Sequence, residues 1–543
     1  MGGQPLYLEP RLESRLRSLV HSPELLHTLT DALGSPLNVL VPDQLADNLA
    51  RFRSVYGTHH LSGQVFLAHK ANRSSALLRR LAATDAGVDV ASLGELQHAL
   101  GAGLTPDRIT ATGPKTPEFL WLAARTSVTV SLDTRDELEQ LAALVRGHAL
   151  PRTRVLLRLS GFEASGVRVL TRRSRFGTAV RETAPLLEAV ERHADVLDLV
   201  GVAYHLDTTS LSEKALALEG CLRVLEECRS RGLRPRAVDI GGGFGVNYLA
   251  DGGQWERYTT ALTEAVMGIR PPLTYGGHGY GLRNEAGTLR GALGLYPAHR
   301  PVATAGYLDE LLRRPAASLG GRTLAALLLE HLYDLHIEPG RALLDQCGLT
   351  LTKVLEVRDD EAGGPLHIRL AAKADDVALE DHGVLMDPVV VPRHPLNADG
   401  TGTGTDIGTG TDIGTGTDTG PGTDTGPGTD TGPDTGIGPD TGIGPGTTAG
   451  SGTGTEPVAA YLFGNLCLEA DLITRRTVFL PHRPAPGDLL AFANTAGYCM
   501  DFHTTRAQHQ PAARKVAAWQ EGDRWRWCLD DQYWPTTPVG GAQ

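Results

Sequence analysis

Along residues 37–341 one pattern repeats. A short apolar run, of the kind a strand buried on both faces requires, is followed by a stretch whose apolar residues recur every three or four positions. The runs are VFLAHK ending at Lys70, GVDVAS ending at Ser92, ITATG ending at Gly113 and VTVSLD ending at Asp133. Then come VLLRLS ending at Ser160, LVGVAYHL ending at Leu206, AVDIGGG ending at Gly243 and LHIEPG ending at Gly340. Helix-period segments such as SSALLRRLAA and RDELEQLAALV lie between most of them. Repeated β–α units of this number predict a (β/α)8 TIM barrel over residues 37–341 ahead of other parallel-sheet folds.

Two departures from the pattern carry information. The gap between AVDIGGG and LHIEPG is longer than one crossover needs and holds the segment TYGGHGYGLR. This insertion, about 249–330, leaves a barrel from its C-terminal face, so it is either an active-site lid or a decorative excursion. After Arg341 the chain turns to short β-forming segments: LTLTKVLEV, YLFGNLCLEA, DLLAFANTAGY and DRWRWCL. These predict a second, all-β domain from residues 342–396 and 457–543, against which residues 1–36 are expected to pack. Residues 397–456 interrupt it with a Gly/Thr/Asp/Pro repeat that is expected to be disordered, since it has too little apolar surface to offset its ordering entropy. The G-G-x-G-x-D nonapeptide of calcium-binding coils is absent from it.

Composition narrows the function classes. The chain has 543 residues, 41% of them apolar, which is ample for real cores. A formal net charge of −12 argues against a nucleic-acid or anionic-membrane partner. Much of that charge sits in the repeat, which has no Lys or Arg, so the remainder is close to neutral. The six cysteines include no C-x-x-C pair and read as reduced thiols. No run of about 18 apolar residues is present. The start, MGGQPLYLEPRLESRL, shows no apolar signal region, and Leu6 breaks the myristoylation pattern. The expectation is a cytoplasmic, soluble protein with no metal site.

Chemistry concentrates at the strand ends. Lys70, Asp89, His205, Gly241 to Gly243, Glu338 and Arg341 all fall at or just past the C-terminal end of an expected strand. In a (β/α)8 barrel that face builds the active site. Taken singly each has a plain structural reading: a lysine leaving a strand, a packed histidine, a glycine turn. The glycine run is not a dinucleotide fingerprint, because Val246 stands where the last glycine belongs. Together they make a coherent set. Gly241, Gly242 and Gly243 let backbone N–H groups approach a phosphate, and Arg341 offers a fork-shaped cation. Glu338 suits a protonated pyridine nitrogen, and His205 suits the face of a ring. Lys70 suits covalent capture of an aldehyde, with the lowered pKa expected of a desolvated lysine. These are the parts a pyridoxal 5′-phosphate site requires.

The motifs resemble those of the fold-type III pyridoxal-phosphate-dependent decarboxylases, the diaminopimelate, ornithine and arginine decarboxylase group. AHKAN at Ala68–Asn72 resembles the cofactor-lysine motif, and DVASLGEL from Asp89 the strand that follows it. SRFG at Ser174–Gly177 resembles S-K-F-G, and DIGGGFGVNY and EPGRALL match almost letter for letter. GNLCLEAD resembles G-P-x-C-E-x-x-D, and AGYCM the G-A-Y-G segment. The resemblance implies a barrel of the alanine-racemase type, a C-terminal β-barrel domain, and a homodimer with shared sites. It implies a Schiff base on Lys70, ring stacking by His205 and a pyridinium contact from Glu338. The phosphate would be held by Gly242, Gly243, Arg341 and Tyr498, with Asp89, Thr208 and Gly340 also at the cofactor. Cys467, entering from the second subunit, would protonate Cα after CO2 leaves.

Departures from the family pattern bear on substrate. H-I-G-S is His205-Leu206-Asp207-Thr208 here, which keeps a hydroxyl but adds an anion. Relatives that grip a distal amine carry an acid directly after the cysteine; here Leu468 is apolar and Glu469 stands one place on. The R-P-x-L-Y stretch of the diaminopimelate enzymes is missing, replaced by AAKADDVALEDHGVLMDP. Free meso-diaminopimelate, ornithine and arginine are therefore expected to be poor substrates. Arg283, in the insertion, is a candidate replacement anchor. Two other readings are an amino-acid racemase, which would want an arginine at the pyridine nitrogen and a tyrosine base, and a catalytically silent pyridoxal-phosphate-binding homologue, expected to lose Lys70, Cys467 or the glycine loop.

Overall fold

Each of the eight apolar runs forms a strand of one parallel sheet. In chain order these are Gly63–Ala68, Gly87–Val90, Ile109–Ala111, Thr129–Leu132, Thr153–Ser160, Leu197–Tyr204, Ala237–Asp239 and Asp334–Ile337. The structure, a computed structural model, describes residues 5–162, 174–394, 457–503 and 505–535. The repeat expected to be disordered lies outside them. Neighbouring strands pair in parallel around a closed ring: Asp334–Ile337 sits between Gly63–Ala68 and Ala237–Asp239, and Thr129–Leu132 pairs with Thr153–Ser160. The expected (β/α)8 barrel is thus present. Val65, Val88, Val130, Val155, Val202, Val238 and Leu335 are completely buried, which is why the strands read as unbroken apolar runs.

Helix starts are equally local. Ser74, Ser92, Thr116, Thr134 and Ser210 each accept a hydrogen bond from a backbone N–H of the helix that follows, at Ser75–Ala82, Leu93–Gly101, Pro117–Arg125, Arg135–Gly147 and Leu211–Ser230. Each cap contributes about 1 kcal/mol and fixes where a strand–helix loop ends. The functional side chains sit in those loops.

The second sheet corrects one expectation: it is not a closed barrel. Its strands run in the order Leu472–Leu480, Val458–Phe463, Leu366–Leu370, Gly348–Arg358, Leu37–Leu40, Arg514–Glu521, Arg524–Leu529, with a branch in which Leu489–Ala493 pairs with Gly348–Arg358 and Val389–Val391 pairs with Leu489–Ala493. Leu472–Leu480, Arg524–Leu529 and Val389–Val391 each pair with a single strand, so among the described residues the branched sheet ends in three free edges. Arg524 and Arg526 lie on one edge, and charge there opposes further pairing. The apolar face is covered by helices instead of by closure. Leu16, Leu19, Leu26 and Leu29, from Ser14–Val20 and Pro23–Leu33, pack on Leu37, Val39, Leu349, Leu351 and Val516. Leu37–Leu40, inside the span expected for the barrel, belongs to this sheet and is buried between Gly348–Arg358 and Arg514–Glu521.

One buried ion pair ties the parts together. Arg476 is completely buried, pairs with Asp387, and lies over the ring of Tyr258 in the insertion. Asp387 also accepts hydrogen bonds from the backbone of Leu8 and Phe479. The insertion contributes the helix Gly252–Val266, an exposed hairpin of Leu282–Glu285 and Thr288–Gly291, and the helices Thr304–Arg313 and Leu324–Glu330, whose Leu308, Leu311 and Leu328 are buried. Among the described residues no helix is long and apolar enough to cross a membrane.

Candidate active site

The strand ends deliver their side chains to one mouth. Gly63–Ala68 runs into a single turn, His69–Ala71, that carries Lys70. The Lys70 Nζ lies 3.7 Å from Asp89 Oδ2, and Asp89 Oδ1 accepts a hydrogen bond from the Thr112 hydroxyl. His205, one residue past Leu197–Tyr204, places Nδ1 3.7 Å from Glu338 Oε2. The Glu338 backbone N–H donates to the Gly241 carbonyl at 3.0 Å, which joins the glycine loop to the last barrel strand's exit.

Two cavities, of about 610 and 560 Å³, share Lys70, His205, Asp207, Thr208 and Glu338 as walls. Thr112, Arg158 and Phe176 line the first; Gly242, Gly243, Arg300, Arg341 and Tyr498 line the second. The glycines there are sterically required. A Cβ on Gly242 would stand 2.9 Å from the Glu338 carbonyl oxygen, and one on Gly243, where φ is +88°, 2.8 Å from that of Thr208. A Cβ on Gly340 would meet the Tyr498 hydroxyl at 2.7 Å. The Arg341 guanidinium is boxed by the rings of Tyr248, Tyr296 and Tyr498, at 5.9, 4.9 and 5.3 Å, and donates to the Tyr248 hydroxyl at 2.6 Å.

Electrostatics follow from burial and crowding of like charges. Burial, then Glu338, pushes the Asp89 carboxyl up to about 6, against Lys70 and Thr112. Asp239 is driven well above the usual carboxylate range by burial and Glu338. Burial and the cations Lys70, Lys214 and Arg158 pull His205 down to about 3, so it is neutral and its contact with Glu338 is not an ion pair. Lys214 is completely buried; its Nζ donates to the carbonyls of Gly242 and Ile240, and burial pulls it down to about 8 against Asp239 and Glu338.

Comparison with known proteins fits this geometry. A family model described as "Pyridoxal-dependent decarboxylase, pyridoxal binding domain" matches residues 43–287. The chain is 26% identical over 498 residues to the "Uncharacterized protein y4yA" of Sinorhizobium fredii, covering 90% of this chain and 89% of that protein. It is 33% identical over 192 residues to the ornithine decarboxylase of Schizosaccharomyces pombe, covering 35% of this chain but only 42% of that enzyme. Its fold is similar to that of the diaminopimelate decarboxylase of M. jannaschii, with a TM-score of 0.64 at 16% identity over 93% of this chain and 91% of that one. Over residues 43–287 the chain carries the pyridoxal-binding domain of the pyridoxal-dependent decarboxylases. It is a carboxy-lyase for an amino acid, with pyridoxal 5′-phosphate as its cofactor.

The residues of this decarboxylase fit that cofactor. A glycine cradle that no Cβ could enter faces a guanidinium in the second cavity, and a lysine amine stands where the two cavities meet. Asp89 Oδ2 is buried without a hydrogen-bond partner, 3.7 Å from the Lys70 amine.

The decarboxylase brings together Lys70, Asp89, His205, Thr208, Gly242, Gly243, Glu338, Gly340, Arg341 and Tyr498. Gly241 plays a different part from the one expected: its N–H is taken by Asp239 Oδ1 at 2.8 Å, so it shapes the turn (φ +62°) and presents no free donor. The lowered pKa expected of Lys70 is also corrected. Burial does act downward, but Asp89 and then Glu338 outweigh it and hold the amine above its ordinary value. Arg283 does not reach either cavity; it lies on the exposed hairpin, 62% exposed, bonded to Glu285. Cys467, Leu468 and Glu469 line a separate cavity of about 320 Å³ with Arg369 and Asp471, away from Lys70 of the same chain.

Sequence reasoning passed over Asp239, Lys214, Arg158, Tyr296 and Arg300. Asp239 had a signal, as an acid ending a strand just before the glycines. Lys214 had another: it is the one cation in KALALEGCL, a mostly apolar segment. Tyr296 and Arg300 had none, since nothing local ties the insertion to the mouth.

Proposed function

We propose that this enzyme decarboxylates an amino acid or amino-acid conjugate, with Lys70 holding the cofactor and Cys467 of a second copy of the chain protonating Cα. The observation that carries this reading is the convergence of Lys70, Asp89, His205 and Glu338 beside a glycine cradle on one barrel mouth. When bound, the cofactor supplies a ring that accepts the electron pair left at Cα as CO2 departs.

The protein's part is orientation and charge. Backbone N–H groups of Gly242 and Gly243, with Thr208, Arg341 and Tyr498, bind the phosphate. The glycine at 340 leaves room for the Tyr498 hydroxyl. Neutral His205 offers a flat, uncharged face for the ring, and Glu338 holds a proton at the pyridine nitrogen, which favours electron withdrawal. Asp89 keeps Lys70 positioned and charged until the cofactor arrives.

Substrate recognition falls to the cavity walled by Arg158 and Phe176, and to Leu468 and Glu469 of the second copy. The homodimer, the division into residues 37–341 and a β domain with residues 1–36 packed on it, and the sharing of sites all belong to this reading. An apolar Leu468 in place of an acid supports rejection of free ornithine, arginine and meso-diaminopimelate.

The test is a carbon-dioxide release screen over amino acids and their conjugates, with Lys70→Ala as control and Cα inversion followed in parallel. Release that vanishes in the variant is expected. A Lys70-dependent cofactor complex that inverts Cα, or leaves every candidate unchanged, would overturn decarboxylation. Turnover of free diaminopimelate at ordinary enzymatic rates would overturn the substrate reading alone.

A further inference from the structure

Arg300 is carried by the insertion, yet it lines the same cavity as Gly242, Gly243 and Arg341. Its backbone is clamped to the chain that follows the glycine loop: its N–H donates to Asn247 Oδ1 at 2.8 Å, and its carbonyl accepts from Asn247 Nδ2 at 3.1 Å. Its side chain is aimed by three contacts. Nη1 donates to the Thr209 hydroxyl at 2.9 Å, the guanidinium lies 4.8 Å from the centre of the Tyr296 ring, and Gly245 makes room for the stem. A Cβ on Gly245, where φ is +66°, would come within 3.1 Å of Arg300 Cδ.

What Arg300 lacks is an anion. Its Nε is buried without a hydrogen-bond partner, and among the described residues no carboxylate pairs with it. Arg341, across the same cavity, is likewise held by tyrosines and not by an acid. Lys214 adds a third cation under the loop, through the Gly242 carbonyl. Asp207 and Glu338 are the acids lining this space, against the cations Lys70, Arg300 and Arg341, and Glu338 lies on the Lys70 side beside His205. Two unpaired guanidiniums beside a glycine cradle make a site for a tetrahedral oxyanion.

We propose that Arg300 binds the cofactor's phosphate, so that the insertion supplies part of the cofactor site. This rests on the reading that the Lys70 cavity is where pyridoxal phosphate binds. The insertion is then neither a lid nor an excursion: Tyr296 and Arg300 complete a pocket that the barrel leaves one cation short.

The experiment compares equilibrium binding of pyridoxal phosphate and of pyridoxal, which lacks the phosphate, to wild type, Arg300→Met and Arg300→Lys, followed by cofactor absorbance. Losing a charge-assisted hydrogen bond is expected to weaken pyridoxal phosphate about 10- to 100-fold in Arg300→Met, while pyridoxal is unchanged. Arg300→Lys is expected to keep part of the preference. Inorganic phosphate is expected to compete with pyridoxal phosphate in wild type and much less in Arg300→Met.

Equal loss of both ligands would mark a structural role and overturn the proposal. So would an unchanged preference for the phosphorylated form, in either variant that folds. Failure of the underlying reading shows separately, as Lys70→Ala binding and absorbing like wild type.

Discussion

The Lys70 amine lies 3.7 Å from Asp89 Oδ2, and with Glu338 this neighbour reverses the effect of burial on the lysine. A desolvated lysine should lose its proton easily; this one holds it. The apoprotein therefore keeps an ion pair at the point where the cofactor is captured.

Capture needs the neutral amine, and the raised pKa makes that form scarce near neutral pH. Uptake of pyridoxal phosphate by the apoprotein is expected to quicken as pH rises from 7 to 10, followed by stopped-flow absorbance. In Asp89→Asn the strongest upward influence on Lys70 is gone, so the profile should move to lower pH by about one unit. A profile that stays where it was would show that Asp89 does not govern the lysine's charge.

Lys214 makes the opposite pH prediction. Its folded-state pKa, about 8, lies below the roughly 10.4 of an unfolded lysine. Between those values the unfolded chain holds more protons, so the group's penalty is fully felt below pH 8 and fades as pH rises toward 10. The unfolding free energy of apoprotein, relative to Lys214→Met, should gain on the order of 1–3 kcal/mol from pH 8 to 10 in urea titrations. A gap independent of pH would mean Lys214 is already neutral, or is not desolvated.

Arg476 and Asp387 are buried together, so removing one partner strands a charge. Arg476→Met is expected to cost about 3–5 kcal/mol in urea denaturation, since Asp387 keeps only its backbone donors, Leu8 and Phe479. The double change Arg476→Met with Asp387→Leu should cost appreciably less than the sum of the single changes. Additive losses would show that the pair is not coupled.

Arg283 should be dispensable. It sits on an exposed hairpin with Glu285, away from the walls of both cavities. On any substrate the screen identifies, Arg283→Ala is expected to keep kcat/KM within about twofold. A loss of about tenfold or more would return it to the role of substrate anchor.

Much of this protein is written locally. Eight apolar runs dictate eight barrel strands because a strand buried on both faces needs an unbroken apolar segment, and Ser74, Ser92, Thr116, Thr134 and Ser210 mark the helix starts because their oxygens meet bare N–H groups. Since barrel strand ends converge, the sequence alone puts Lys70, Asp89, His205, Glu338 and Arg341 at one mouth.

Sheet closure, charge state and long-range delivery were a different matter. Whether the second sheet closes depends on which surface covers its apolar face, and here Ser14–Val20 and Pro23–Leu33 do so, leaving its edges free. The proton on Lys70 depends on carboxylates 19 and 268 residues further along the chain, counted from Asp89 and Glu338. Arg300 reaches the glycine loop only because Asn247 grips its backbone. Periodicity and capping act within a turn or a strand, so they are legible along the chain. Burial, pKa and the walls of a cavity arise from groups that meet only once the barrel has closed.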